Sequence, residues 1–174
     1  MNKKIISGLI IAVLLIIGGI LYFMSNKQSE VNTIKIGGLS ALTGKWQVGG
    51  ETEANFAKIA INEINSNGGI LGKPIEFILE DDKCSAKDAL SAAQKMVEQD
   101  GVDIILGPSC TPASQAVVPY TNDRKTIIIA FTTTADHIFD KYLYAFRTTP
   151  PGDTFGKVGA KVASVKYNKK MLQS

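Results

Sequence analysis

The chain of 174 residues predicts an α/β protein built on a doubly wound parallel sheet. Three observations carry this. Apolar, β-branched runs alternate with amphipathic segments in the order β-α-β-α-β-α-β, which favours parallel strands joined by right-handed crossovers. The first, third and fourth runs (33–39, 102–106 and 126–130) read as apolar runs rather than alternating ones, with Lys35 and Asp103 as the charged interruptions, the mark of strands covered on both faces. Composition is globular, with 45% hydrophobic and 20% charged residues, and the length allows one domain of ordinary size.

Residues 1–24 stand apart. Lys3 and Lys4 precede an apolar run that begins at Ile5, ends at Met24 and carries no charge. About 20 apolar residues suit a helix that spans a bilayer, whereas a signal peptide has a core of roughly 7–15 and then a small-residue cleavage site. Here the run closes YFMSNKQSE, without an A-x-A pattern. The reading is an uncleaved N-terminal transmembrane anchor, with a cleaved signal as the alternative. Tyr22 and Phe23 suit the interface, and the two lysines keep the N-terminus cytoplasmic. Residues 25–32 are polar and read as a tether, and 33–174 hold the folded part.

The first strand, 33–39, contains Gly37 and Gly38, which allow close packing. Residues 51–65 place Phe56, Ile59, Ala60 and Ile64 at helical spacing, and Asn67-Gly68-Gly69 stops that helix. Residues 75–80 form the second strand. Ser85 and Asp88 make a capping pattern for a second helix, with Ala89, Ala92, Ala93, Met96 and Val97 inward. After the third strand, Thr111 and Pro112 read as N-cap and first residue of a helix reaching about Asp123. The fourth strand follows, then a short extra strand at 144–147. A last helix, 153–167, turns Val158, Val162 and Val165 inward. The expected strand order is 2-1-3-4.

Net charge is +3, two of it from Lys3 and Lys4, so neither a nucleic-acid surface nor a polybasic membrane patch is expected. The single His137 reads as a surface loop residue and makes a His-based metal site or a Ser-His triad hard to build. GGILGKP (68–74) lacks the spacing and the Ser/Thr of a phosphate loop. No cofactor and no metal are expected. Asp81 and Asp82 read as a solvated pair at a strand end, with no base or nucleophile beside them.

In an open parallel sheet, ligands bind beyond the carboxyl ends of the strands where the strand order reverses, here between strands 1 and 3. That singles out the loops 40–50, 107–111 and 131–134, each rich in Gly, Ser and Thr. Small hydroxyls and free helix N–H groups suit a carboxylate or amide, which points to binding rather than catalysis. Thr111 reads either as an N-cap alone or, with the positive end of its helix, as the holder of a carboxylate. Trp46, the only Trp, either caps the core edge or walls a pocket.

Three stretches, IKIGGLSALTG (34–44), INEINSNGGILGKPIEFILEDDKC (61–84) and DIILGPSC (103–110), resemble in this order the start of the branched-chain amino acid binding proteins. Those are extracytoplasmic receptors of ABC importers with the type I periplasmic-binding fold. The resemblance covers about residues 33–167, most of one of the two lobes such receptors have. It implies that Thr111, directly after the second Cys, contacts the ligand. It implies too that Thr134 offers a side chain, and Thr132 or Thr133 a carbonyl, to the ligand's charged groups. Two Cys in an exported chain suggest a disulfide between Cys84 and Cys110. Strand 1 separates their loops by roughly 9–10 Å, so both must lean inward; the resemblance implies that they do. The sequence departs from the family where Gly49 stands in place of a frequent Tyr before a Gly, and no Cys for a lipid anchor ends the apolar run.

The implied function is non-enzymatic: the solute-binding component of an ABC importer for branched-chain or related amino acids. Its partners are then an amino acid and the permease subunits, and its place is the outer face of the plasma membrane. The alternatives are a secreted or periplasmic form, a ligand-sensing receptor ectodomain, or a truncated, non-binding fragment of a transport receptor.

Overall fold

The structure, a computed structural model, describes residues 16–17 and 33–167. The expected anchor and tether lie outside those residues, apart from Ile16 and Ile17. Among the described residues no helix is long and apolar enough to cross a membrane. The elements in chain order are β1 (Ile34–Ser40), α1 (Gln47–Ser66), β2 (Ile75–Asp81), α2 (Ala86–Lys95), β3 (Ile104–Leu106), α3 (Thr111–Asp123), β4 (Ile127–Ala130), β5 (Ala145–Arg147) and α4 (Gly152–Tyr167).

All five strands are parallel and lie in the order β2-β1-β3-β4-β5. The short extra strand thus adds itself beside β4, with Ile129 opposite Phe146. The direction of strand addition reverses after β2. Right-handed crossovers then put α1 on one face and α2 and α3 on the other. Ser85 caps α2 as its spacing suggests, accepting the Asp88 N–H at 3.4 Å. A π turn, Met96–Asp100, extends α2 and buries Met96. Gly37 makes room for it: a Cβ there would lie 2.8 Å from Met96 Sδ.

Strand alternation decides which face is sealed. Ile105, Ile128 and Ala130 are buried, and they pack with Leu39, Met96, Val117 and Val118. Their neighbours Ile104, Leu106, Ile127 and Ile129 point the other way and are only half-buried. Phe146, beside Ile129, is 52% exposed. The expectation of helices covering both faces therefore holds fully for the face under α2 and α3 alone.

Two helices also present a different stripe from the one expected. In α1 the buried residues are Gly50, Ala54 and Ile61, while Phe56 and Ile59 are 68% and 62% exposed. Gly50 sits so close to the chain that a Cβ would lie 2.2 Å from the Ala41 carbonyl oxygen, so small residues must face inward there. In α4, Val158, Val162 and Val165 are exposed along with Phe155, because the described residues place no apolar layer over that stripe.

Candidate functional site

The loop after β1 is clamped to the end of β2 by Asp81. Its carboxylate accepts the Leu42 N–H at 2.8 Å, the Thr43 hydroxyl at 2.6 Å and the Lys83 N–H at 2.9 Å. Burial pushes the Asp81 carboxyl up, but the Thr43 hydroxyl and the N–H groups of Lys83, Leu42 and Thr43 outweigh it and hold it below the ordinary range. Asp82 differs. It is fully buried, its Oδ1 accepts the Cys84 N–H at 2.7 Å, and its Oδ2 has no hydrogen-bond partner. The expectation of a solvated pair fails for it. Lys83 and Cys84 take left-handed φ values of 49° and 57°, which fold the loop over the end of β1 and draw Asp82 inside.

Burial pushes the Asp82 carboxyl above the ordinary range. The N–H groups of Cys84 and, short of a closed bond, Ser109 oppose this, and the charges of Asp81 and Glu53 add to it. A carboxyl raised in the folded state binds its proton better there than in the unfolded chain. Its contribution to stability is therefore present below the unfolded value, 3.8, and is lost as pH rises through the folded value. The stability of Asp82→Asn minus that of the wild type is accordingly expected to increase between about pH 4 and pH 7. Urea unfolding at three pH values reads this, and a constant difference would contradict it.

The same inward fold of the loop closes the disulfide. Cys84 and Cys110 are bonded, with Cα atoms 5.3 Å apart. Cys110 has extended φ and ψ of −120° and 148°, and its carbonyl accepts the Ser114 N–H at 2.9 Å, so Cys110 is the N-cap of α3. Thr111, expected at the cap, is instead the first helical residue. Its side chain is half-buried and makes no capping bond, because the disulfide holds the preceding residue in the cap position.

Beyond the ends of β3 and β4 the loops are stitched together. The Thr132 hydroxyl lies 2.7 Å from the Ser109 carbonyl oxygen and 2.8 Å from Glu53 Oε1, and the Ser109 hydroxyl donates to Glu53 Oε2. Thr133 is buried, and its hydroxyl lies 2.6 Å from that of Ser114 on α3. Thr134 is exposed, and its carbonyl accepts the Gly152 N–H at 2.8 Å. So the Thr111 and Thr132–Thr134 loops share one rim at the switch point. Of the three threonines, Thr133 turns into the protein and Thr132 and Thr134 stay at the surface.

Trp46 precedes α1 and is 46% exposed, so its ring is not enclosed in the core. Its indole lies against Gly49, where a Cβ would meet Nε1 at 2.7 Å. Glu53 and Ser109 were not singled out by sequence. The available signal was an acid set among the inward small residues Gly50, Ala54 and Ala57. The single His137 is exposed and pairs with Asp140 at 2.9 Å. Among the described residues no group of three or more His, Cys, Asp or Glu is placed to hold a metal.

The Ser114–Thr133 pair gives a measurable consequence. Thr133→Val keeps the shape and strands the Ser114 hydroxyl, with an expected loss of about 1–3 kcal/mol in urea unfolding. Adding Ser114→Ala should recover part of it; with the Ser114→Ala single variant also measured, a double-variant loss equal to the sum of the two single losses would show that the pair is not coupled.

An open parallel sheet whose hydroxyl-bearing loops meet at the strand switch is the architecture of a small-molecule binding lobe. A family model described as periplasmic binding protein matches residues 33–171. The chain belongs to the periplasmic binding protein family. It is 31% identical over 142 residues to a leucine-, isoleucine-, valine-, threonine- and alanine-binding protein of Pseudomonas aeruginosa, covering 81% of this chain and 38% of that protein. It is 29% identical over 147 residues to a leucine-specific-binding protein of Salmonella typhimurium, covering 84% and 40%. The chain therefore spans about two fifths of the length of these relatives.

Among solved structures, it superposes on a branched-chain amino acid transporter substrate-binding protein of Streptococcus pneumoniae in complex with isoleucine. The TM-score is 0.73 and the identity 33%, over 79% of this chain and 39% of that one. A solute-binding protein of an ABC transporter from Rhodopseudomonas palustris, in complex with 3,4-dihydroxybenzoic acid, gives a TM-score of 0.69 at 27% identity over 76% and 36%.

Proposed function

We propose that residues 33–174 form the amino-terminal lobe of an extracytoplasmic solute receptor that serves an ABC importer for branched-chain or related amino acids. The observation that carries this reading is the joining of the β3 and β4 loops at the strand switch through Ser109, Thr132, Ser114 and Thr133. Thr111, Thr132 and Thr134 then face the ligand's charged groups, Thr133 braces them from below, and Trp46 walls the apolar side. The relatives' amino acid ligands support the solute class, and the dihydroxybenzoate complex widens it to small carboxylic acids. Residues 1–24 serve as the membrane anchor and 25–32 as its tether, with the permease as partner in the same membrane.

Receptors of this type gain affinity by closing two lobes over the ligand. The half-open sheet face around Phe146 and Ile129 suits a lobe that works joined to further chain. The chain alone is expected to bind L-leucine, L-isoleucine or L-valine only weakly, with Kd of about 1 mM or above, near −4 kcal/mol. Backbone amides of Trp46, Thr111 and Thr132–Thr134 should shift in an NMR titration. Micromolar binding by the chain alone would refute the two-lobe reading, and shifts confined to other loops would refute the site.

A further inference from the structure

The rim holds more acceptors than donors. Thr132 has one hydroxyl hydrogen, yet its Oγ1 lies within bonding distance of two acceptors, Glu53 Oε1 at 2.8 Å and the Ser109 carbonyl oxygen at 2.7 Å. The Ser109 hydroxyl is committed to Glu53 Oε2. A carboxylate offers about four lone-pair sites, so Glu53 keeps capacity to accept. It is half-buried and forms no ion pair with the described residues.

A ligand carboxylate arriving here would compete with Glu53 for the same two hydroxyls and be repelled by its charge. An ammonium would instead supply the missing hydrogens and the missing positive charge. We propose that Glu53 is the specificity-determining residue of this rim, selecting a ligand's ammonium group there over its carboxylate. This rests on the reading of the rim as ligand-facing. It leaves the ligand carboxylate to Thr111 and the N-terminal end of α3.

The test uses the full chain in dodecyl maltoside micelles, followed by backbone amide NMR. The probes are L-leucine, L-leucinamide (cation only), 4-methylpentanoate (carboxylate only) and methylammonium. The wild type is expected to bind leucinamide about tenfold more tightly than 4-methylpentanoate, and Glu53→Gln should erase that preference. Glu53→Asp keeps the charge and should keep part of the preference, which guards against a variant that merely misfolds. Methylammonium should shift the Ser109 and Thr132 amides in the wild type and not in Glu53→Gln. An unchanged leucinamide preference in Glu53→Gln overturns the proposal, as does silence of the wild type to every probe. L-Leucine shifting the rim with that ratio unchanged overturns the role of Glu53 and leaves the receptor reading standing. Methylammonium bound through Glu53, with L-leucine bound nowhere, supports the role of Glu53 and overturns the receptor reading.

Discussion

Replacing Cys84 and Cys110 together by serine is expected to lower the free energy of unfolding by about 3.5 kcal/mol. The two residues are 26 apart in sequence, and the bond closes a loop running from the end of β2 through α2 and β3 to the cap of α3. Without the bond, that whole segment gains freedom in the unfolded chain. The native state loses something as well. Cys84 no longer has a partner to hold it at a left-handed φ of 57°, and Asp82 then relaxes towards water. Against a typical domain stability of about 5–15 kcal/mol, such a loss is a large fraction. Urea unfolding of the double variant beside the wild type measures it. A loss below about 1 kcal/mol would mean that the hydrogen bonds of Asp81 and Asp82 hold these loops without the disulfide.

Gly107→Ala is expected to cost about 3 kcal/mol or more, from strain and backbone collision together. Gly107 has φ of +109°, and a Cβ there would lie 2.0 Å from the Leu39 carbonyl oxygen on β1. That oxygen belongs to a central strand and has nowhere to go. The Gly107 N–H donates to the Ile129 carbonyl at 2.8 Å, so any escape also opens the top of the β3–β4 ladder. Ser109 follows two residues later, and its bonds to Glu53 and Thr132 should loosen with it. Gly101→Ala is the control. Its φ of +71° carries the same handedness, but nothing lies within 4 Å of the added carbon, so a loss of only about 1–2 kcal/mol is expected. Equal melting temperatures for the two variants would show that the collision at Gly107 is relieved at no cost.

Much of the architecture was legible in the chain because it follows from local chemistry. Apolar runs at 102–106, broken only by Asp103, and at 126–130 mark buried parallel strands, and Ser85 with Asp88 marks a helix start. The switch between strands 1 and 3 follows once the order is known, and it points to the loops that prove to be joined. The cap of α3 was less legible: Thr111-Pro112 carries a good capping signal, yet a covalent bond to Cys84 moves the cap back to Cys110. Asp82 was illegible for a related reason. Two consecutive left-handed residues, Lys83 and Cys84, are disfavoured locally and persist because the disulfide and the Asp82 hydrogen bond hold them.

By itself the amino-acid sequence determined the succession of elements, the parallel sense of the sheet and the identity of its first four strands, since each rests on periodicities of a few residues. Only the tertiary structure decided which stripe of α1 and α4 faces inward, because periodicity reports an angular spacing and not the surface that a helix meets. It also decided that Glu53 reaches Ser109 and Thr132, 56 and 79 residues away along the chain. Contacts across such separations are made by strand order and crossover, which bring distant loops to one edge, and no local pattern in the chain records them.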